Sequence, residues 1–178
     1  MKKFLTAVPS LILLVGCGPQ DVEVTLPAEL MEEAGQESIE ELAAEADEEE
    51  GIHDITENDD GSVAVTMDGD AHQEMMAEME EGLSDHIQEI VDDNEFSSIE
   101  DIDANNSFDE FSFIVDQEAY ENSFDGFATF GVSLMALMYQ SFDDIDEEDI
   151  EVTINLEDVD DGEVFNTIVY PDAFDDMG

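Results

Sequence analysis

Three oxygen-bearing side chains stand at the spacing of a calcium-binding loop. Asp101, Asp103 and Asn105 occupy alternate positions, as do the first three ligands of an EF-hand loop. Their carboxylate and amide oxygens are the hard ligands that Ca²⁺ prefers. The pattern then breaks, because Asn106 stands where the loop requires a glycine and Ser112 stands where it requires a bidentate glutamate. The sequence therefore offers Asp101, Asp103 and Asn105 as calcium ligands outside an EF-hand frame, and it suggests no other cofactor.

The histidines and methionines are not spaced like the ligands of a transition-metal site. His72 and His86 are predicted to lie on one helix but about 20 Å apart, at about 1.5 Å per residue. His53 is predicted on a strand. Met76 and Met79 have the spacing of a helix face that packs into a core. We expect no zinc or soft-metal site from these residues.

Catalytic chemistry has little support in the sequence. The chain shows no nucleophile motif around serine or cysteine and no glycine-rich phosphate loop. After Lys3 it contains no Lys or Arg that would stabilise an oxyanion, which leaves backbone amides or a metal for that task. We therefore expect no catalytic residue and no cofactor-binding residue, and we expect that the protein is not an enzyme.

The single cysteine, Cys17, ends the sequence Leu-Val-Gly-Cys, which resembles the lipobox of bacterial lipoproteins. Two lysines and an apolar run precede it, as in a secretory signal peptide. We predict that residues 1–16 are removed, that the sulfur of Cys17 is acylated, and that residues 17–21 tether the protein to the extracytoplasmic face of the cell membrane. Two alternatives stay open: an uncleaved anchor, although the run is short of the roughly 20 residues of a span, and a cleaved signal with an incidental cysteine.

The charge of the chain is extreme and one-sided. It contains 52 Asp and Glu, and its two basic side chains, Lys2 and Lys3, leave with the predicted signal peptide. Carboxylates at this density repel one another, and salt relieves the repulsion by shortening the Debye length to about 3 Å near 1 M. We therefore expect a salt-adapted, halophilic surface. Nucleic acid is excluded as a partner, because its phosphates are bound through Lys and Arg.

Hydrophobic periodicity predicts strands in pairs, with a helix between the pairs. Strands are predicted at 22–26, 52–57, 63–67, 99–103, 111–115, 150–156 and 164–170, and helices at 28–50, 70–92 and from 117 to 142. This order predicts an α+β fold, a two-layer sandwich in which one largely antiparallel sheet, built from successive hairpins, carries helices on one face. We expect a single domain over residues 22–174 and a tail at 175–178. Residues 28–50 form one helix or two.

The stretch 126–142 has no charged residue, although charge saturates the chain around it. We predict that this stretch is the most buried helix, with a second membrane segment as the competing interpretation. The side chains predicted to face the sheet are Phe127, Phe130, Leu134, Leu137 and Met138.

Several phrases of the chain are shared with a known family. Beyond the lipobox they are VTLPA at 24–28, DGSV at 60–63, HQEM at 72–75, YENSFDGF at 120–127 and GEVFNTIVYP at 162–171. Together they resemble a family of small uncharacterised lipoproteins of Gram-positive bacteria, over nearly the whole chain after Cys17. The resemblance implies the location and the extent of the domain, and it assigns no activity and no site residue. Members carry lysines on helix faces where this chain has Glu, Gln or Asp, which again suggests adaptation to salt.

Three functions remain, each with its own structural signature. The leading hypothesis is a non-enzymatic, lipid-anchored module whose sheet face or edge binds another envelope protein or an extracellular ligand, and it predicts an exposed apolar patch or groove. The second is a surface module that binds divalent cations, calcium above all, and it predicts that carboxylates from different elements converge. The third is an enzyme acting on envelope material, which predicts a concave pocket with one raised carboxylate pKa.

Overall fold

The computed structural model describes residues 21–28, 51–92, 96–143, 145 and 149–175. The predicted signal peptide, Cys17 and all but the first residue of the predicted helix at 28–50 lie outside this part. None of the helices in the described part is both long and apolar enough to cross a membrane.

The described elements follow the predicted order closely. The strands are β1 (Val22–Leu26), β2 (Ile52–Glu57), β3 (Val63–Met67), β4 (Ile99–Ala104), β5 (Glu110–Val115), β6 (Val152–Asp158) and β7 (Val164–Tyr170). The helices are α1 (Gly69–Asp92), α2 (Gln117–Glu121), α3 (Gly126–Phe142) and α4 (Asp172–Asp175). The α+β class is confirmed, with antiparallel sheets and helices packed against them.

The strands form two sheets, so the prediction of one sheet is wrong. One sheet has three antiparallel strands in the order β1-β3-β2, and the other has four strands in the order β4-β5-β6-β7. Within the larger sheet β5 and β6 run parallel, whereas the other neighbours are antiparallel. β5 and β6 are parallel because α2 and α3 connect them, and a helical crossover returns the chain to the same end of the sheet.

Helices α1 and α3 lie side by side in opposite directions. The ring nitrogen Nε2 of His72, in the first turns of α1, lies 2.6 Å from the carbonyl oxygen of Phe142 at the end of α3. Farther along, His86 of α1 lies beside Gly131 of α3. Phe142 packs into the core of the three-stranded sheet, so that sheet sits where α1 begins and α3 ends. The start of α3 is therefore at the opposite end of the molecule, about 25 Å away for a helix of 17 residues.

Helix α3 is heavily buried. Of the side chains predicted to face the sheet, Leu137 is buried, and Phe130, Leu134 and Met138 are partly buried against the core. Ala128, Val132 and Ala136 are at most 3% exposed, whereas Phe127 is 70% exposed, so its predicted core position is wrong. Small residues let α3 approach the sheet closely. Its buried hydroxyls also bond within the helix, as Thr129 does by donating to the carbonyl of Gly126 at 2.7 Å, so that polar side chains enter the core with their hydrogen bonds made.

Candidate functional site

The exposed large apolar side chains of the described residues gather at one end of the molecule, which we call the apolar end. They are Phe124, Phe127, Val159 and Val164, exposed by 84%, 70%, 47% and 52%. This is the end where the parallel strands β5 and β6 finish, because the amide of Val159 donates to the carbonyl of Val115 at 2.9 Å. Large exposed apolar side chains gathered at one place are typical of binding surfaces.

A buried carboxylate places the two phenylalanines outward. Asp125, between them in the chain, is 7% exposed, and its Oδ2 accepts hydrogen bonds from the backbone amide and the hydroxyl of Ser98, at 2.9 and 2.5 Å. With Asp125 held against the start of β4, Phe124 and Phe127 project into solvent. Their rings stack on each other, with centroids 6.5 Å apart and an interplanar angle of 26°.

The segment that carries Phe124 and Phe127, from α2 to the first turn of α3, is fixed on its inner side as well. Helix α2 is capped by Asp116, whose carboxylate accepts from the amide of Ala119 at 2.9 Å. Tyr120, in the same short helix, packs against the main core, and burial raises the pKa of its hydroxyl. These contacts fix the backbone that carries the exposed phenylalanines, and binding sites are built on fixed backbone of this kind.

Carboxylates surround the apolar end. Asp160, Asp161 and Glu163 are exposed in the β6–β7 turn, between Val159 and Val164. Glu121 is exposed at the end of α2. We call these four carboxylates the rim. A surface that covers the apolar end meets several negative charges at its edge.

The outer face of the four-stranded sheet, the predicted binding face, is polar. The amide of Asn155 donates to the carboxylate of Glu110 at 3.1 Å, and the hydroxyl of Thr167 donates to the Asn155 carbonyl at 3.0 Å. These three side chains come from three neighbouring strands and satisfy one another. The large apolar side chains that are exposed in the described residues lie instead at the apolar end.

The residues suggested as calcium ligands lie on a strand and the hairpin that follows it. Asp101 and Asp103 belong to the extended strand β4, opposite Ile114 and Ser112 of β5. The amide oxygen of Asn105 accepts from the backbone amides of Asp109 and Glu110, and its nitrogen donates to the Asp109 carboxylate, so this side chain closes the hairpin. Calcium binding at these residues stays a prediction.

A different set of ligand-type side chains converges at the far end from the apolar end. Asp21, His53 and Asp68 each bring one oxygen or nitrogen within 4.8 Å of the others. The sequence did not predict this cluster, because His53 was placed on a strand without a partner. The two aspartates stand one step beyond the Val22–Met67 pair of β1 and β3, a pairing that the sequence did not predict. No sequence signal marks the β-bulge at His53.

A groove of about 680 Å³ runs between α1 and β4. Its apolar lining includes Ile87, Val91 and Phe108, and the carboxylates at its edge include Glu80 and Asp92. Among the described residues that line it there is no histidine, cysteine or basic side chain.

Comparisons of the chain with protein-family models, with curated proteins and with solved structures found no significant match.

Proposed function

We propose that the protein is a lipid-anchored, extracytoplasmic binding module, without enzymatic activity, that holds another envelope or extracellular protein through the apolar end. The observation that carries the proposal is the concentration of exposed large apolar side chains at the end of the domain opposite β1. The lipobox at Cys17 and the resemblance to small lipoproteins support the anchored location.

The position of the apolar end favours a protein over the anchoring membrane as the occupant. The predicted lipid is on Cys17, four residues before Asp21, and Asp21 leads into β1 at the three-stranded sheet. The apolar end lies at the other end of α3 and so faces away from the tethered end. Anionic lipid would in addition be repelled by the rim carboxylates.

The charge of the chain favours a basic partner over a second copy. After Lys3 the chain carries 52 acidic residues and no Lys or Arg, so two copies that meet at their apolar ends bring like charges together. A partner with an apolar centre and Lys or Arg around it would pair its apolar groups with the phenylalanines and its basic groups with the rim.

The test uses a helical peptide built from Lys and Leu as a model of such a partner surface, and the same pattern with Glu in place of Lys as its counterpart. We expect the full chain to bind the Lys peptide and not the Glu peptide. Burying a phenylalanine contributes about 1.5–3 kcal/mol. With two phenylalanines the loss is at least about 3 kcal/mol, so the double variant Phe124→Ser, Phe127→Ser should bind the Lys peptide about 100-fold more weakly or worse, since about 1.4 kcal/mol is tenfold.

The matched control is Ala77→Ser, an exposed apolar-to-serine change on α1. This variant should bind like the unchanged chain. Equal affinity of the double variant and the unchanged chain would contradict the proposal, because the acidic surface alone would then hold the peptide. A dimer of the full chain that the double substitution dissolves would assign the apolar end to a second copy instead.

A further inference from the structure

We propose that Asp21, His53 and Asp68 form a binding site for a divalent first-row transition metal ion of the Zn²⁺ type. This inference is independent of the apolar end. Nε2 of His53 lies 3.0 Å from Oδ1 of Asp68 and 4.0 Å from Oδ1 of Asp21. One imidazole nitrogen thus faces two carboxylates, one from each side.

Three different strands deliver these side chains. Asp21 immediately precedes β1, Asp68 immediately follows β3, and His53 stands in β2 where the pairing with β3 shifts register between Ile52 and Asp54. The bulge turns the imidazole toward the two aspartates. Gly51 permits the adjoining bend, because its φ of 104° belongs to the region that glycine tolerates best.

The distances suit a tetrahedral ion after small side-chain movements. Zn²⁺ lies about 2.0–2.2 Å from nitrogen and oxygen ligands, so two ligands of a tetrahedral ion are about 3.4 Å apart. The two distances from Nε2, 3.0 and 4.0 Å, lie on either side of that value. The ligand side chains are exposed by 45% for His53, 67% for Asp21 and 47% for Asp68, which leaves an approach for the ion and room for water as the fourth ligand.

The ligand set selects the class of metal. An imidazole nitrogen suits Zn²⁺ and its neighbours in the first transition row, whereas Ca²⁺ takes six to eight oxygen ligands. Asp21 and Asp68 are cross-strand neighbours, and like charges in that position are destabilising. A dication at Nε2 removes this repulsion and joins β1 to β2 and β3. Metal binding would therefore secure the strand that follows the predicted tether.

The test measures Zn²⁺ binding to the full chain, kept in non-ionic detergent and purified without a histidine tag, by titration calorimetry in molar NaCl. Salt at this level suppresses loose attraction between Zn²⁺ and the acidic surface, because the Debye length falls to about 3 Å. We expect one strong site, and we expect His53→Gln and Asp68→Asn each to weaken it about tenfold or more, in line with the losses caused by disturbing a metal's surroundings.

The matched control for Asp68→Asn is Asp54→Asn, which removes the same charge from an exposed position in β2. It should bind Zn²⁺ like the unchanged chain. His72 and His86 remain in the His53→Gln variant and report any zinc bound through other imidazoles. Amide hydrogen exchange in β1 should slow when Zn²⁺ is added to the unchanged chain and should not change in His53→Gln.

Three results would overturn the proposal. The first is the absence of a strong Zn²⁺ site in the unchanged chain. The second is equal Zn²⁺ affinity in the unchanged chain and in both site variants, each shown by circular dichroism to be folded. The third is displacement of Zn²⁺ by an equal concentration of Ca²⁺, because such a site would be a hard-cation site that does not depend on the imidazole.

Discussion

Removing the buried carboxylate of Asp125 should destabilise the protein strongly. Asp125 is the first residue before α3, a position where an aspartate usually caps its own helix. Here its side chain makes no cap hydrogen bond to α3 and accepts two from Ser98 instead. Asp125→Ala deletes both of these hydrogen bonds between the start of α3 and the start of β4.

The expected loss follows from burial. Ser98 is 1% exposed, so after the substitution its amide and hydroxyl lose a charged acceptor where water has little access. A hydrogen bond to a charged group contributes about 1.5–3 kcal/mol, and an unsatisfied buried donor costs about 1–3 kcal/mol. Removing one negative charge from so acidic a chain offsets a fraction of this. We expect the free energy of unfolding to fall by about 2–3 kcal/mol, or about 4–12 °C in the thermal midpoint for a chain of this size.

The assay is urea and thermal unfolding in molar NaCl, followed by circular dichroism. Asp125→Asn should lose much less than Asp125→Ala, because its amide oxygen still accepts both hydrogen bonds. Asp85→Ala removes a charge from an exposed position on α1 and should stay within about 0.5 kcal/mol of the unchanged chain. If Asp125→Ala behaves like Asp85→Ala, the link to Ser98 does not stabilise the fold, and our explanation of how Phe124 and Phe127 are held outward is wrong.

Two further predictions concern the backbone and an ionisable core residue. Gly51→Ala should lower the free energy of unfolding by about 2 kcal/mol or more, since φ is 104° and the new Cβ would lie 2.6 Å from that of Ala71. Gly82→Ala, where a Cβ meets nothing within 4 Å, should raise it by about 0.5–1 kcal/mol in the same urea titration. Burial raises the pKa of Tyr120 above its unfolded value of about 10. The neutral Tyr120 hydroxyl therefore contributes its full stability below the unfolded pKa, and this contribution is lost as pH rises through the folded pKa. In unfolding midpoints measured from pH 8 to 12, Tyr120→Phe should show a smaller alkaline loss, and an equal loss would contradict this assignment.

The local sequence pattern predicted most strands and helices correctly, but it did not predict how the strands pair into sheets. The bounds of the β2–β3 hairpin agree with the prediction, because a turn with an Asp-Gly pair is a signal within a few residues. The uncharged run 126–142 coincides with α3, but the helix predicted from 117 to 142 breaks at residues 122–125 into α2 and α3. Whether two hairpins share a sheet depends on contacts between distant segments. Phe127 was misplaced because hydrophobicity alone assigned it to the core, whereas the first turns of α3 bury small and hydroxyl-bearing residues, Ala128 and Thr129 among them.

The candidate sites, too, were predicted only where their residues are close together in the chain. Asp101, Asp103 and Asn105 stood out because ligand patterns are recognised along the chain, yet the structure gives Asn105 a role in closing a hairpin. Asp21, His53 and Asp68 are up to 47 positions apart in the numbering and have no linear pattern. Strand register brings the two aspartates together, and a one-residue bulge adds the histidine. The cluster therefore depends on an irregularity that propensity does not encode.

Because the chain has no Lys or Arg after Lys3, its stability and its binding of a partner both depend on how its carboxylates are neutralised. After Lys3 only histidines can offset carboxylates within the chain, and in the described part the histidine nitrogen within 4.0 Å of carboxylates is that of His53. Elsewhere neutralisation must come from salt or from a partner. Added NaCl screens attraction between the rim and basic residues, but it does not weaken burial of Phe124 and Phe127. A partner held by both contributions retains a salt-resistant part of its affinity in molar NaCl, and the Phe124→Ser, Phe127→Ser variant should remove that part. A partner held by charge alone would retain none.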